Sequence, residues 1–427
     1  MTIGLHAVTV TPLGGGALVD ISCLVDEVSV KQGREDTDSQ PDAASATVDI
    51  SFDSDTTALP GGVDVGGLLQ VTTTLAGAVH VRFVGTVTDM AMGWEAAGDD
   101  TPDRVVAQVI ATGPMAHLGR NIVGDVPWPQ QLDGERVATV LAAAGVTLDP
   151  LYSDPGTVQI LARDVDSQSA LDVAQEVASD AGGMLWATTA GEIRYADAQH
   201  RRGITPALTL DACDILVTPT WQRTTEGMVN SVSIGYGLPP DDGGESPRYV
   251  AQRDDSISRW GTFGLSSTTQ LAELGDAEAL GNLLLTQNHD PVWVLSALPV
   301  SVADLSAADT EALLNLQPND LVEVTGLPAA GAVPTSTSLW VEGWAETLTW
   351  GTHALELVVS GYCRTSPPPR WNDIDPGATW DTSKGTWDDA ACLGPLPNLG
   401  RWDDQPASLR WDQLDPAVTW DTYQPAA

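Results

Sequence analysis

Ser167-Gln168-Ser169-Ala170-Leu171-Asp172-Val173-Ala174-Gln175-Glu176-Val177-Ala178 leads through Gly182-Gly183 into Met184-Leu185-Trp186-Ala187. Ala170, Leu171, Ala174, Val177, Ala178 and Ala181 fall at helical spacing, so one stripe of this helix faces a core. Ser167 is a candidate N-cap. Gly182-Gly183 stops the helix, because glycine takes left-handed backbone without steric cost. The apolar runs Met184-Leu185-Trp186-Ala187 and Glu192-Ile193-Arg194-Tyr195 lie on either side of Thr189-Ala190-Gly191, which predicts a hairpin. Upstream, Asp133-Gly134-Glu135-Arg136 opens a short helix over 137–144, with Asp133 as its cap and Gly145 as its end. Residues 114–203 read as an α+β module.

On both sides of this module the period changes to two. In residues 1–113, Ala46, Val48, Ile50 and Phe52 alternate, and 21–30, 66–74, 79–87 and 104–112 are further strand candidates. Pro60-Gly61-Gly62 breaks the run. Short strands at this spacing predict a small barrel or sandwich, completed by strands from 204–224. Downstream, 204–210, 227–236, 292–302, 321–325, 339–348 and 354–360 read as strands. A helix is predicted over 276–285, a turn at Asn319-Asp320, and a loop at Pro239-Pro240-Asp241-Asp242-Gly243-Gly244. Residues 204–365 therefore read as a second β-rich module holding one helix.

The end of the chain is unlike the rest. Pro367-Pro368-Pro369 is a stiff extended spacer. After it, Arg370-Trp371-Asn372-Asp373-Ile374-Asp375-Pro376-Gly377-Ala378-Thr379-Trp380-Asp381-Thr382 recurs as Arg410-Trp411-Asp412-Gln413-Leu414-Asp415-Pro416-Ala417-Val418-Thr419-Trp420-Asp421-Thr422, and Trp387-Asp388 and Trp402-Asp403 are weaker echoes. With few aliphatic residues, 366–427 cannot build a large core alone. Trp371, Trp380, Trp387, Trp402, Trp411 and Trp420 are the candidate partner-binding residues. Three uses are open to them: docking in another protein's grooves, where tryptophan supplies hot-spot area, packing on one another, or stacking on sugar rings.

The chain's 58 acidic and 19 basic residues leave a net charge of −39, which repels phosphate backbones and anionic membrane surfaces. An acidic surface can still line a conduit through which DNA slides without sticking. The opening Met1-Thr2-Ile3-Gly4-Leu5-His6 predicts no secretory signal, and no apolar run approaches a membrane span. Cys23, Cys213, Cys363 and Cys392 are far apart and read as buried free thiols.

Motifs that carry chemistry are missing. No two of His6, His80, His117, His200, His289 and His353 lie within five residues, so no HExxH or comparable metal spacing exists. There is no GxSxG and no phosphate-binding GxxxxGK[ST]. Asp99-Asp100, Asp254-Asp255 and Asp388-Asp389 read as solvated loop acids. Asp36, Asp38 and Asp42 lack the turn glycine and terminal glutamate of a calcium loop. No catalytic residue, cofactor or metal is predicted.

The order of these pieces resembles the tail-tip (baseplate) hub proteins of long-tailed phages. The resemblance covers roughly residues 1–365. It rests on Val81-Arg82-Phe83-Val84-Gly85-Thr86-Val87-Thr88-Asp89, the helix and hairpin of 167–195, Asn230-Ser231-Val232-Ser233-Ile234-Gly235-Tyr236 with Asp255-Ser256-Ile257-Ser258-Arg259-Trp260-Gly261, and Leu339-Trp340-Val341-Glu342-Gly343-Trp344 with His353-Ala354-Leu355-Glu356-Leu357. The Trp-Asp arm resembles C-terminal extensions of minor tail proteins. The resemblance implies a mainly β protein in which two small tudor-like β-barrel modules flank the α+β module. It implies a non-enzymatic homotrimeric ring at the virion tail tip, made in the host cytoplasm, that adapts a sixfold tube to a threefold tip and lines the DNA exit channel. The implied partners are other copies of the chain, a distal tail or tail tube protein, the tape measure protein, and a tail fibre or tip protein. Neither specific nucleic-acid binding nor membrane insertion is implied. The alternative is a receptor-binding or cell-wall glycan-binding tail protein that uses the Trp-Asp repeats.

Overall fold

A computed structural model describes residues 6–361 apart from Asp38, 54–58, Ala76, 96–103, Asp125, 165–166, 202–204, 217–220, 238–245, Ser296 and 328–335. The chain opens with strands β1 (His6–Thr11), β2 (Val19–Asp20), β3 (Val25–Gly33), β4 (Ser45–Asp53), β5 (Leu68–Leu75), β6 (Ala78–Glu95) and β7 (Arg104–Thr112). Next come α1 (Met115–Leu118), β8 (Ile122–Val123), β9 (Gln131–Leu132), α2 (Asp133–Ala143), β10 (Gln159–Ile160), β11 (Gln168–Ser169), α3 (Ala170–Ala181), β12 (Met184–Ala187) and β13 (Ile193–Ala196). The third part begins with β14 (Leu208–Asp211), β15 (Trp221–Gln222), β16 (Ser231–Gly235), β17 (Arg248–Gln252), α4 (Asp254–Trp260), β18 (Gly264–Thr268) and α5 (Leu274–Asn288). It ends with β19 (Val294–Leu295), β20 (Ala297–Ser301), α6 (Ala307–Asn315), β21 (Leu321–Thr325), β22 (Thr337–Thr349) and β23 (His353–Gly361).

The fold is mainly β and is organised by one large mixed sheet in the order β14-β21-β22-β3-β4-β7-β6-β5-β1-β2, with β23 and β20 continuing from β22. β22 joins the two ends of the sequence. Its first half pairs with β21, from Leu321↔Trp340 to Val324↔Thr337, and its second half pairs with β3, from Gly343↔Gly33 to Thr349↔Glu27. The register against β23 shifts between Val341 and Gly343. The backbones at this shift lie too close for side chains: a Cβ on Gly343 would overlap the Gln32 carbonyl, and one on Gly33 (φ +82°) the Glu342 carbonyl.

Three large apolar clusters fill the described residues, beside a small fourth of Met184, Trp186 and Ala196. The first holds the inward faces of β1 and β3–β7 and takes in Leu348 from β22. The second holds Leu208, Leu210, Leu298, Val300, Val322, Val324, Trp344 and Leu357 with neighbours, and takes in Leu75 from β5. The third joins α2, α3 and the β12–β13 hairpin to Val232, Ile234, Ala277 and Leu285. Each Leu or Val in these clusters contributes on the order of 1.5–3 kcal/mol by leaving water.

Several local expectations hold. α3, the β12–β13 hairpin, β7 and β21 lie where periodicity places them, Gly182 (φ +71°) ends α3, and Asn319 sits at φ +77° in its turn. Others need correction. The N-cap of α3 is Ser169, whose hydroxyl accepts the Asp172 N–H, while Ser167 stands outside the helix at φ +51°. Asp133 is the first residue of α2 and not its cap: its Oδ1 accepts N–H groups from Thr157 and Val158. Cys23 and Cys213 are exposed, because each sits in a 3-10 turn and not in a strand face; Cys363 and Cys392 lie outside the described residues.

The strands of 204–224 do not pair with any N-terminal strand: β14 joins the large sheet only at its far end, beyond β21 and β22, and β15 lies outside it. β14 runs parallel to β21 and β15 pairs with β19, because Leu208 and Leu210 bury against Val322 and Val324. Segment 231–288 was expected within the second β module. Its α5, β16 and β18 share the core of α2 and α3 instead, and the described residues of 204–361 hold three α-helices where one was expected.

Candidate functional site

The densest polar constellation lies on β22. Glu342 is 1% exposed. Arg201 donates to both of its oxygens (2.9 and 2.9 Å), Arg34 donates through Nε (2.8 Å), and the Ser360 hydroxyl donates as well. The Arg201 Nε also donates to Asn319 Oδ1 (2.7 Å), and its guanidinium lies 5.2 Å from the Trp340 ring centroid. Burial would push the Glu342 carboxyl up; Arg201 and Arg34 outweigh it and hold the group down at about 2.

Glu346, four residues on, repeats the arrangement. Arg82 is fully buried and donates from Nε to both carboxylate oxygens (2.8 and 3.0 Å) and from Nη2 (2.9 Å), while its Nη1 donates to the Leu314 carbonyl. His353 Nε2 lies 2.6 Å from Glu346 Oε1. Burial opposes ionisation here too, yet Arg82 and His353 hold Glu346 at about 2. His6 stands edge-on to His353 with centroids 5.1 Å apart, and burial followed by the His353 charge lowers it to about 4.

These two glutamates tie together β3, β6, the segment after β13, the end of α6, and β23. Removing one partner of such a pair strands a charge in the interior, so the arrangement enforces one relative placement of the parts it joins. Both carboxylates are shut off from solvent, each 1% exposed.

The other polar centre is also closed. Tyr195 hydroxyl donates to Asp133 Oδ2 (2.5 Å) in the interior between α2 and the hairpin, and burial pushes its phenol well above the usual range. A concavity of about 360 Å³ is lined by Ala138, Ala142, Gly145, Val146, Thr147 and Leu148, none of them ionisable. Among the described residues no group of three or more His, Cys, Asp or Glu side chains could hold a metal ion. No described helix is long and apolar enough to cross a membrane.

The outer surface carries apolar features suited to contact. Leu13, Leu18, Val65 and Leu68 are exposed on the loops and strand start beside the β1–β2 edge. Met92 and Trp94 extend the inward face of β6 past the core, and Trp94 is 77% exposed. Trp260 and Trp293 are exposed near Arg223, whose guanidinium lies 5.9 Å from the Trp260 ring.

The sequence-derived candidates Trp371, Trp380, Trp387, Trp402, Trp411 and Trp420 lie outside the described residues. Glu342, Glu346, Arg82 and Arg201 belong to no chemical motif in the sequence. The signal was present: Arg82 between Val81 and Phe83, and Glu342 between Val341 and Gly343-Trp344, are lone charges in apolar runs.

No family model matches the chain, and no curated protein matches its sequence. Solved structures do match. The 43 kDa tail protein of prophage MuSo2 from Shewanella oneidensis is 11% identical, with a TM-score of 0.58 over 84% of this chain and 99% of that one. The tail protein from Neisseria meningitidis MC58 is 12% identical, with a TM-score of 0.57 over 85% of this chain and 99% of that one. Prophage tail protein gp18 from Listeria monocytogenes EGD-e is 8% identical, with a TM-score of 0.52 over 82% of this chain and 94% of that one. At these identities the likeness is one of fold, and along most of its length this chain has the fold of phage and prophage tail proteins.

Proposed function

We propose that the chain is a structural, non-enzymatic subunit of a phage-type tail, the hub at its tip. The observation that carries this reading is the extent of the fold match: tail proteins are matched over 94–99% of their own length, so the likeness embraces the whole architecture and not one common module. The buried junctions at Glu342 and Glu346 support it, because they make a rigid joint between the sheet's two halves. In this reading the β-rich halves, 1–113 and 204–365, act as tudor-like barrel modules about the α+β module of 114–203, with 231–288 lodged on that module. Three copies close a ring between tail tube and tip, its acidic inner wall letting DNA pass. The tube or distal tail protein, the tape measure protein and a fibre or tip protein are its neighbours, and the arm of 366–427 fastens it to an adjacent subunit.

Size-exclusion chromatography with light scattering, with and without isolated tail tubes, tests the ring. A trimer alone, or one that forms on the tubes, is expected; a stable dimer that ignores the tubes overturns it. Deleting 367–427 separates docking from glycan binding. Loss of fibre or tip attachment supports docking, whereas intact virions that no longer adsorb to cells establish the arm as a receptor-binding element.

A further inference from the structure

β6 outruns one of its neighbours. β5 pairs with it from Ala78 to Thr86, and β7 pairs with its other edge from Thr86 to Glu95. Val87 still exchanges backbone hydrogen bonds with Gly66 and Gly67 (2.8 and 2.8 Å). Beyond it, among the described residues, no strand lies on the outer edge of Asp89–Glu95. That edge is about 23 Å long, enough for a strand of ordinary length. Along it, alternate N–H and C=O groups point away from β7, and such a row pairs readily with another extended chain.

The two faces of this stretch differ. Met90, Met92 and Trp94 stand opposite Val109, Ala107 and Val105, on the face that leads from the core. Met92 is 57% and Trp94 77% exposed. Asp89, Ala91, Gly93 and Glu95 share the other face, and Asp89, Ala91 and Glu95 are exposed. A Cβ on Gly93 would meet nothing nearer than Val106 Cγ2 at 3.8 Å, so that face is open between the two acids.

Charge selects the occupant. Asp89 and Glu95 have no ion-pair partner among the described residues. Arg104, directly opposite Glu95, turns to Asp26 (3.0 Å) and Ser51 (2.6 Å) instead. Residues 86–112 contain Asp89, Glu95, Asp99, Asp100 and Asp103 against Arg104 alone. Opposite charges on paired strands attract and like charges repel. An acidic edge on a chain of net charge −39 therefore disfavours a second copy and favours a basic segment. Because side chains alternate between faces, the strand that fits has apolar residues beside Met90, Met92 and Trp94, and Lys or Arg beside Asp89 and Glu95.

We propose that the outer edge of β6, Asp89–Glu95, is a docking site for an extended segment of another protein in which apolar and basic residues alternate, added to the sheet as a further strand. The proposal goes beyond the hub reading and is independent of it: the tail role stands if this edge takes no partner.

The test uses the full chain and, as probe, a capped peptide of alternating valine and lysine as long as 89–95. Amide hydrogen exchange within 89–95 should slow at least about tenfold at saturating peptide. An isomer with its valines and lysines in two blocks should leave 89–95 unchanged, and so should a peptide of alternating valine and glutamate. Asp89→Lys with Glu95→Lys, two exposed positions, should reverse the choice, so that the glutamate peptide protects 89–95 and the lysine peptide does not. Trp94→Ser, with the thermal transition unchanged, should weaken the lysine peptide at least about threefold. Absence of protection at 89–95 overturns the proposal, as does equal protection by the block isomer or a preference that the double change leaves unmoved. Slowing at 89–95 that rises with protein concentration and needs no peptide makes a second copy the occupant and overturns it too.

Discussion

Arg82 and Glu346 meet in the interior with neither side chain exposed, through three hydrogen bonds between 2.8 and 3.0 Å, although 264 residues separate them in sequence. This pair binds a strand of the N-terminal half to the strand on which both halves converge.

Arg82→Ala leaves the Glu346 carboxylate buried with only His353 to compensate. The expected loss is about 3–5 kcal/mol of unfolding free energy. Replacing both residues, Arg82→Met with Glu346→Leu, should cost clearly less than the sum of the single changes. Urea denaturation of the four proteins measures this; additive losses would show that the two side chains do not interact.

Acid stability should fall in two stages. His6 is lowered from 6.5 to about 4, so between those values the unfolded chain binds a proton that the folded one refuses, and stability drops as pH falls through this window. Glu342 and Glu346 are held at about 2 against 4.5, so their contribution is complete above 4.5 and is lost as pH falls from there towards 2. Because Asp180 titrates in the opposite sense over the same range, the first stage is read as a difference: on lowering the pH from 6.5 to 4 the urea midpoint of the parent should fall relative to that of His6→Phe, and below 4.5 both should decline steeply.

Asp180 acts in the opposite sense. It sits near the C-terminal end of α3, and burial, with Glu176 adding to it, raises its carboxyl from 3.8 to about 7 despite the hydrogen bond from the Gln270 backbone. The folded state keeps a proton that the unfolded state gives up, so this group costs stability as pH rises from 3.8 through 7. Asp180→Asn should therefore raise the urea midpoint at pH 8 and leave it nearly unchanged at pH 4. Equal effects at both values would contradict the assignment.

Gly343→Ala forces a methyl group into the Gln32 carbonyl where β3 meets β22. A loss of about 2 kcal/mol or more is expected by thermal or chemical denaturation. The same change at Gly93, where a Cβ meets nothing closer than 3.8 Å, should fall within about 0.5 kcal/mol of the parent.

Tyr195→Phe removes the hydroxyl that donates to Asp133 and leaves a buried carboxylate oxygen short of a donor. It should cost about 1–3 kcal/mol. A neutral result in denaturation would show that the oxygen finds another donor.

The amino-acid sequence by itself determined the local elements. The spacing of Ala170 to Ala181 sets α3, the glycines after it end the helix, and the alternation from Ala46 to Phe52 sets β4. Such signals survive because they depend on neighbours a few residues away. The likeness to phage tail proteins was legible in the order of those elements, since order is itself a property of the sequence.

Tertiary structure decided which elements share a sheet and a core. Nothing near Leu208 indicates that β14 lies against β21 rather than beside an N-terminal strand. Nothing near Ala277 indicates that α5 packs on the core of α3 rather than within the second β module. Both choices follow from burying complementary apolar faces brought together over long separations. Asp133 followed the same course: its place at a helix start suggested a cap, and the arrival of Thr157, Val158 and Tyr195 made it an interior acceptor. The charges on β22 were visible in the sequence only as misfits in apolar runs, because a buried glutamate is recognisable as a joint only when its arginines, contributed by distant segments, stand beside it.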